Sequence, residues 1–155
     1  MIRCLALISW ALLASTAAAE EDLTLSVFEA WNDDRSIVFD ANSVDIDDLR
    51  WAARPVVVFA DSPNDPRFLQ QLDLFLDRPD ALAERDVIVL IDTDPTARGE
   101  WRMQLRPRGF MLVIMGKDGE VELRKPAPWD VREITRSIDK MPLRQQEIEA
   151  RRAAE

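Results

Sequence analysis

Histidine is absent from the 155 residues, and cysteine occurs once, at Cys4. Without an imidazole, no Ser-His-Asp or Cys-His arrangement can be assembled, and no His-ligated zinc site exists. A single thiol permits no internal disulfide and no dithiol pair. Bases are also scarce: 20 Lys+Arg stand against 29 Asp+Glu, a net charge of -9. Phosphate backbones are gripped by clustered Lys and Arg, so nucleic acid is not an expected partner. The one long apolar run, Cys4 to Leu13, falls short of the roughly 20 residues that a membrane-spanning helix needs. What the chain does have is 47% hydrophobic and 32% charged residues, enough apolar material for a single packed domain.

Residues 1–19 read MIRCLALISWALLASTAAA. Arg3 supplies a positive start, an apolar stretch follows, and Ala17-Ala18-Ala19 satisfies the small-x-small rule for cleavage before Glu20. This is the pattern of a signal peptide, so the chain is expected to be periplasmic or secreted. Cys4 would leave with the signal, and the mature chain would be cysteine-free. An N-terminal anchor or a buried helix is the competing reading. Cys4 precedes the apolar run instead of following it, which argues against lipidation.

Residues 20–49 form an acidic N-terminal arm, with ten Asp and Glu against the single base Arg35. Within it Ser36–Phe39 suits a short strand, and Val27, Phe28 and Trp31 could share one helical face. The arm is expected to dock these apolar residues on the domain; a disordered or partner-binding tail is the alternative. Residues 50–147 are assigned to the domain and 148–155 to a charged C-terminal tail. Val56–Ala60 is an unbroken β-branched and aromatic run, as in a strand buried on both faces. In Asp61–Pro66, Asp65 is placed as a helix N-cap and Pro66 as the first helical residue. Phe68, Leu72, Phe75 and Leu76 then recur on one helical face. Val87–Ile91 is a second buried strand, and a helix carrying Trp101 and Leu105 is expected between Asp94 and Pro107. Phe110–Met115 is a third strand, Gly116–Gly119 a hairpin turn, and 120–124 an alternating edge strand. Asp130 and Glu133 open a helix with inward Val131, Ile134, Ile138 and Met141. Pro142 interrupts it, and Leu143–Glu155 is expected to be a solvated helix.

The order β-α-β-α-β-β-α predicts an α/β fold: a three-layer sandwich whose central mixed sheet is flanked by helices. The strings that carry a more specific likeness are Trp51 with RPVVVFA (54–60), GKDGEVELR (116–124) and IDKMPLR (138–144). Together they resemble the bacterial thioredoxin-like domain of unknown function called the P-DUDES type, related to domains of secreted sushi-repeat and DRO-class matrix proteins. The resemblance spans about Leu49 to Glu147 and implies a thioredoxin-like fold in an exported setting, with no established reaction. Redox-active thioredoxin relatives place Cys-x-x-Cys just after the first strand of the βαβ unit, where this chain has DSPNDP (61–66). They also place a cis-proline directly before the third strand, where this chain has Arg108-Gly109. Thiol exchange is therefore not expected.

The loop after the first buried strand is the candidate ligand site, because ligands of open α/β sheets favour strand carboxyl ends and helix N-termini. Asp61, Ser62, Asn64, Asp65 and Arg67 are the candidate residues; turn and cap chemistry alone also explains each of them. Asp61, Asp65, Asp92 and Asp94 gather at neighbouring strand ends but match no calcium-loop spacing. No catalytic residue, metal or cofactor is assigned. The expected role is a binding or adaptor module for a protein partner or a small anionic ligand. The alternatives are a carboxylate/Arg enzyme at this loop and a redox protein that borrows a partner's thiol. Trp51 and Trp129 are expected to pack at the core ends, with joint exposure marking a partner anchor. Lys117 and Asp118 read as a hairpin tip. Arg144, Gln145 and Gln146 read as solvated helix, with a partner surface as the alternative.

Overall fold

A computed structural model describes residues 27–154. The proposed signal at 1–19, Cys4 and the first seven residues of the acidic arm lie outside the described residues. Five strands form one sheet: β1 (Val38–Asp40), β2 (Arg54–Phe59), β3 (Val87–Asp92), β4 (Met111–Met115) and β5 (Val121–Lys125). The helices are α1 over 27–33, α2 (Pro66–Asp77), α3 (Pro79–Ala83), α4 (Glu100–Leu105), α5 (Val131–Ile138) and α6 (Pro142–Ala153), with short 3-10 turns at Ala41–Ser43 and Asp47–Leu49.

The strand order is β1-β3-β2-β4-β5. β1 and β2 run parallel to β3, whereas β4 is antiparallel to β2 and to β5. This is the thioredoxin-like layout of a mixed sheet that the resemblance implied. Every residue of β2 is buried, because both faces of the strand meet a core. Successive side chains point to opposite faces. Val56, Val58, Val89, Leu112 and Ile114 therefore pack against Phe68, Phe75, Leu82, Val131, Ile134 and Ile138 of α2, α3 and α5. Val57, Phe59, Ile88, Leu90 and Val113 pack against Trp31, Leu49, Trp101 and Leu105 on the other face.

The acidic segment is built into this architecture. Trp31 is buried and donates its indole N–H to the Val87 carbonyl at 3.2 Å. Val44, Ile46 and Leu49 join the same core, and β1 forms two residues later than the Ser36–Phe39 pattern suggests. The compositional boundary at Leu49 thus runs through one hydrogen-bonded sheet. Acidity reports the solvent face of this segment, while its few apolar residues decide where it goes.

Two aromatic and aliphatic placements differ from expectation. Leu76 is 69% exposed, and Gln71 takes the interior position on α2. The Gln71 amide accepts from the Trp129 N–H at 2.7 Å and donates to the Trp129 carbonyl at 3.0 Å. It satisfies both backbone groups of a loop that no strand reaches. Trp51 is 65% exposed instead of packing at a core end. Its φ of 67° lets its N–H reach the Lys117 carbonyl, and the left-handed backbone turns the indole outward. Trp129 does pack against the core, with the Lys125 ammonium 4.5 Å from its ring centre.

At the amino ends of β2 and β3, α6 is held by charge. Arg144 is the buried residue of this helix, against the expectation of a solvated surface at Arg144, Gln145 and Gln146. Arg54, the first residue of β2, is fully buried and donates to the Arg85 carbonyl at 2.8 Å and to Glu147 Oε1 at 2.7 Å. Glu147 also receives Arg144 at 3.2 Å and Lys117 at 3.4 Å. Lys117 reaches Asp86 at 2.7 Å, so it is more than a hairpin tip. Arg85 forks onto Asp139 at 2.8 and 2.7 Å.

Burial works against the Glu147 charge. The hydrogen bond and charge of Arg54, with Arg144 and Lys117, outweigh it and hold the carboxyl below the usual carboxylate range. A depressed carboxylate stabilises the fold fully above its unfolded value, about 4.3 for glutamate, and loses that contribution as pH falls through the lower folded value. Glu147→Gln is expected to cost roughly 1–3 kcal/mol at neutral pH, since Arg54 loses its anion. In urea unfolding measured against pH, the gap between wild type and variant closes as the solution is acidified below the unfolded glutamate range. A gap that stays constant with pH would refute the assignment.

Candidate functional site

The carboxyl ends of β2 and β3 lie side by side, because Phe59 is paired with Asp92. Beyond Phe59 the chain leaves the sheet at Ala60 and turns through Asp61–Asp65 into α2. Asp65 is the N-cap of α2: its Oδ1 accepts from the Arg67 backbone N–H at 2.9 Å, and Pro66 follows as the first helical residue. The Arg67 side chain folds back onto the same carboxylate at 3.3 and 3.0 Å. Its guanidinium stands 5.5 Å from the Phe110 ring centre. Ser62 Oγ accepts from the Asn64 N–H at 3.2 Å, and the Ser62 carbonyl accepts from the Asp65 N–H at 3.2 Å, which closes the turn.

Asp65 and Arg67 are therefore brought together, Ser62 and Asn64 are joined within the turn, and Asp61 stands apart. Asp61 is exposed, 3.5 Å from Arg102 Nη1. Gly109, at φ 60°, approaches it from the segment before β4; a Cβ there would lie 3.9 Å from Asp61 Oδ2. The Arg67 side-chain hydrogen bond, followed by the Arg67 backbone N–H, keeps the Asp65 carboxyl below the usual carboxylate range. A carboxylate held in its ionised form as a cap is poorly matched to proton transfer near neutrality.

Arg102 is the residue that the sequence reading did not single out. It projects from α4 across the ends of both parallel strands. Its Nε and Nη2 bind the two oxygens of Asp92 at 2.9 and 3.0 Å, and Nη2 also donates to the carbonyls of Ala60 at 2.8 Å and Asp92 at 3.1 Å. The guanidinium lies 5.4 Å from the Phe59 ring centre. Asp92 is buried, and its Oδ1 takes a further hydrogen bond from the Asp94 N–H at 3.1 Å. This is a bidentate, charge-assisted pair that latches α4 to the sheet and fills the space beneath Asp61. The one sequence signal available, Arg102 beside the inward-facing Trp101, does not distinguish a latch from a solvated base.

The acidic residues at these strand ends do not converge as ligands for a cation. The Asp92 and Asp65 carboxylates are engaged by arginines, and Asp94 Oδ1 caps Thr96 at 2.8 and 2.6 Å. Among the described residues, no three Asp, Glu, His or Cys side chains are grouped to hold a metal ion. The groups left to meet a partner are Asp61, Ser62, Asn64 and the outer face of Arg67.

A family model described as a domain of unknown function, DUF4174, matches residues 45–147. The chain belongs to the DUF4174 family. The matched range begins in the acidic segment and ends at Glu147, the residue that Arg54 holds. Among solved structures, a crystal structure of chloroplastic thioredoxin z is similar, with 19% identity and a TM-score of 0.46 over 57% of this chain and 78% of that one. No curated protein sequence matches the chain.

In this DUF4174 member, Arg102→Met is expected to leave the Asp92 carboxylate buried without its cation and to lower stability by about 3–5 kcal/mol. Arg102→Lys keeps the charge without the planar fork and should lose less. Urea denaturation of both variants checks the order, and an Arg102→Met protein as stable as wild type would show that the pair is not a latch.

Proposed function

We propose that this DUF4174 domain is an exported, thioredoxin-like binding or adaptor module with no thiol chemistry of its own. The observation that carries the reading is the state of the loop between β2 and α2. Redox-active relatives carry their paired sulfurs there; in this chain the loop has none, Asp65 is occupied as a cap and by the Arg67 side chain, and Ser62 Oγ accepts one turn hydrogen bond. Export is supported by the signal-like residues 1–19, and by the finer likeness to the P-DUDES type and its secreted sushi-repeat and DRO-class relatives. Cleavage after Ala19 would remove Cys4 and leave a mature chain without sulfur nucleophiles.

A protein partner fits the loop better than a small anion. Arg67 is the nearest candidate cation, and the carboxylate of Asp65 already neutralises it at 3.0 Å. The outward edge of Asp61, Ser62 and Asn64 instead offers hydrogen-bonding groups on a helix-anchored turn. The turn is closed by its own hydrogen bonds, and a turn ordered before binding lowers the ordering cost.

The purified protein is expected to show no turnover above background in insulin-disulfide and peroxide assays, and its N-terminal sequence after export is expected to begin at Glu20. Sustained turnover would overturn the binding reading. So would any activity lost in Asp61→Ala with the melting temperature unchanged, since that pattern belongs to a carboxylate enzyme.

A further inference from the structure

Beneath α2 and α3, away from the loop just described, a cavity of about 350 Å³ opens against the edge of the sheet. Its walls are Val38 of β1, Val89 and Ile91 of β3, Leu72 and Phe75 of α2, and Leu82 of α3. β1 pairs with β3 from Val89 to Ile91, and the side chains of Val38, Val89 and Ile91 line the cavity on the face that α2 and α3 cover. Its size and apolar lining fall within the range of small-ligand sites, roughly 300–1,000 Å³.

The polar groups at this cavity are Arg35 and Ser36. The Ser36 hydroxyl is turned to Asp34. Arg35 is held flat, with its guanidinium 3.7 Å from the Trp31 ring centre and Nη2 donating to Asn32 at 3.0 Å. Nη1 donates a hydrogen bond to Asp86 Oδ1 at 3.3 Å in a salt bridge, and the other Asp86 oxygen is taken by Lys117 at 2.7 Å. A guanidinium carries five N–H donors in a fixed fork, and a third of this side chain, 33%, remains exposed. An oriented cation with donors to spare thus stands at the lip of an aliphatic cavity.

We propose that this cavity binds an aliphatic monocarboxylate, its alkyl chain lying among Leu72, Leu82, Val89 and Ile91 and its carboxylate meeting Arg35. The aliphatic walls suit an extended chain, and the fork geometry of Arg35 suits a carboxylate over a neutral head group. The site shares no residue with the loop 61–67. It goes beyond the adaptor reading and stands or falls separately from it, because insulin turnover reports on the loop and leaves this cavity untouched.

The test is titration of the purified protein with dodecanoate, octanoate and dodecanol, followed by methyl NMR. Dodecanoate is expected to bind saturably at one site, with shifts centred on Val38, Leu72, Val89 and Ile91. Octanoate should bind more weakly, by up to about fourfold for each methylene removed. Arg35→Met should weaken dodecanoate by about tenfold or more while leaving dodecanol unchanged. Leu76→Glu changes an exposed residue of the cavity wall, so it should spare the fold and weaken dodecanoate; it decides the matter if Arg35→Met fails to fold. Absence of saturable dodecanoate binding, shifts centred elsewhere, equal affinity for acid and alcohol, or indifference to Leu76→Glu would each overturn the proposal.

Discussion

The parallel pairing of β2 with β3 constrains everything around it. The two strands run in register from Arg54 opposite Val87 to Phe59 opposite Asp92, and the residues between are buried except for the half-buried Ile91. A strand pair with no wet face tolerates no polar side chain along its length, so polar chemistry is displaced to its ends. At the amino ends stands Arg54 with Glu147; at the carboxyl ends stands Asp92 with Arg102. Each end cluster recruits a helix that the apolar core holds only in part. Arg102 latches α4, and Glu147 and Arg144 latch α6. Exposed ion pairs contribute about 0–1 kcal/mol, whereas removing one member of a buried pair costs several times more. The pairs around Arg54 and Asp92 belong to the second kind, and pairs such as Arg136–Glu133 on the face of α5 belong to the first.

The same arithmetic applies to the loop where β2 gives way to α2. In this chain the charges there are matched inside the protein: Asp65 with Arg67, and Asp92 with Arg102. An active carboxylate has to change its protonation or its partner during a cycle. Asp65 accepts three hydrogen bonds from Arg67 alone, which stabilises its ionised form and opposes such a change. The arrangement builds a hydrogen-bonded turn with a polar edge.

The strands were legible because Val, Ile and Leu runs broken by Asp, Pro and Gly leave few alternatives. The cap at Asp65-Pro66, the helix carrying Trp101 and Leu105, and the break at Pro142 were legible for equally local reasons. Features that depend on residues meeting across the fold were hidden. Arg54 reads as the polar residue before a strand, and only the arrival of Glu147 from the far end of the chain makes it a buried anchor. Leu76 is exposed against its pattern, while the buried Gln71 carries the donor and acceptor that meet Trp129 beside α2. Trp51 turns outward because of its backbone geometry, a φ of 67° that no hydrophobicity pattern encodes. In the candidate site, Asp65 and the Ser62 turn followed from sequence, while Arg102 required knowing that α4 lies across two strand ends.

The edges of the sheet follow from a different pressure. An open sheet must blunt both edges against pairing with other chains. β5 does so by alternation, with Glu122 and Arg124 exposed beside a half-buried Leu123. β1 does so by brevity: it stops after three residues, and the acidic chain leaves the edge at Ala41. A short edge strand cannot fill the area spanned by α2 and α3, which together run from Pro66 to Ala83. The cavity lined by Val38, Val89 and Ile91 lies between this edge pair and the two helices, with Leu76 and Arg35 also in its lining. In a chain of net charge -9, the arginine stacked on Trp31 beside that opening is the cation nearest to it, and it is shared with the Asp86 carboxylate.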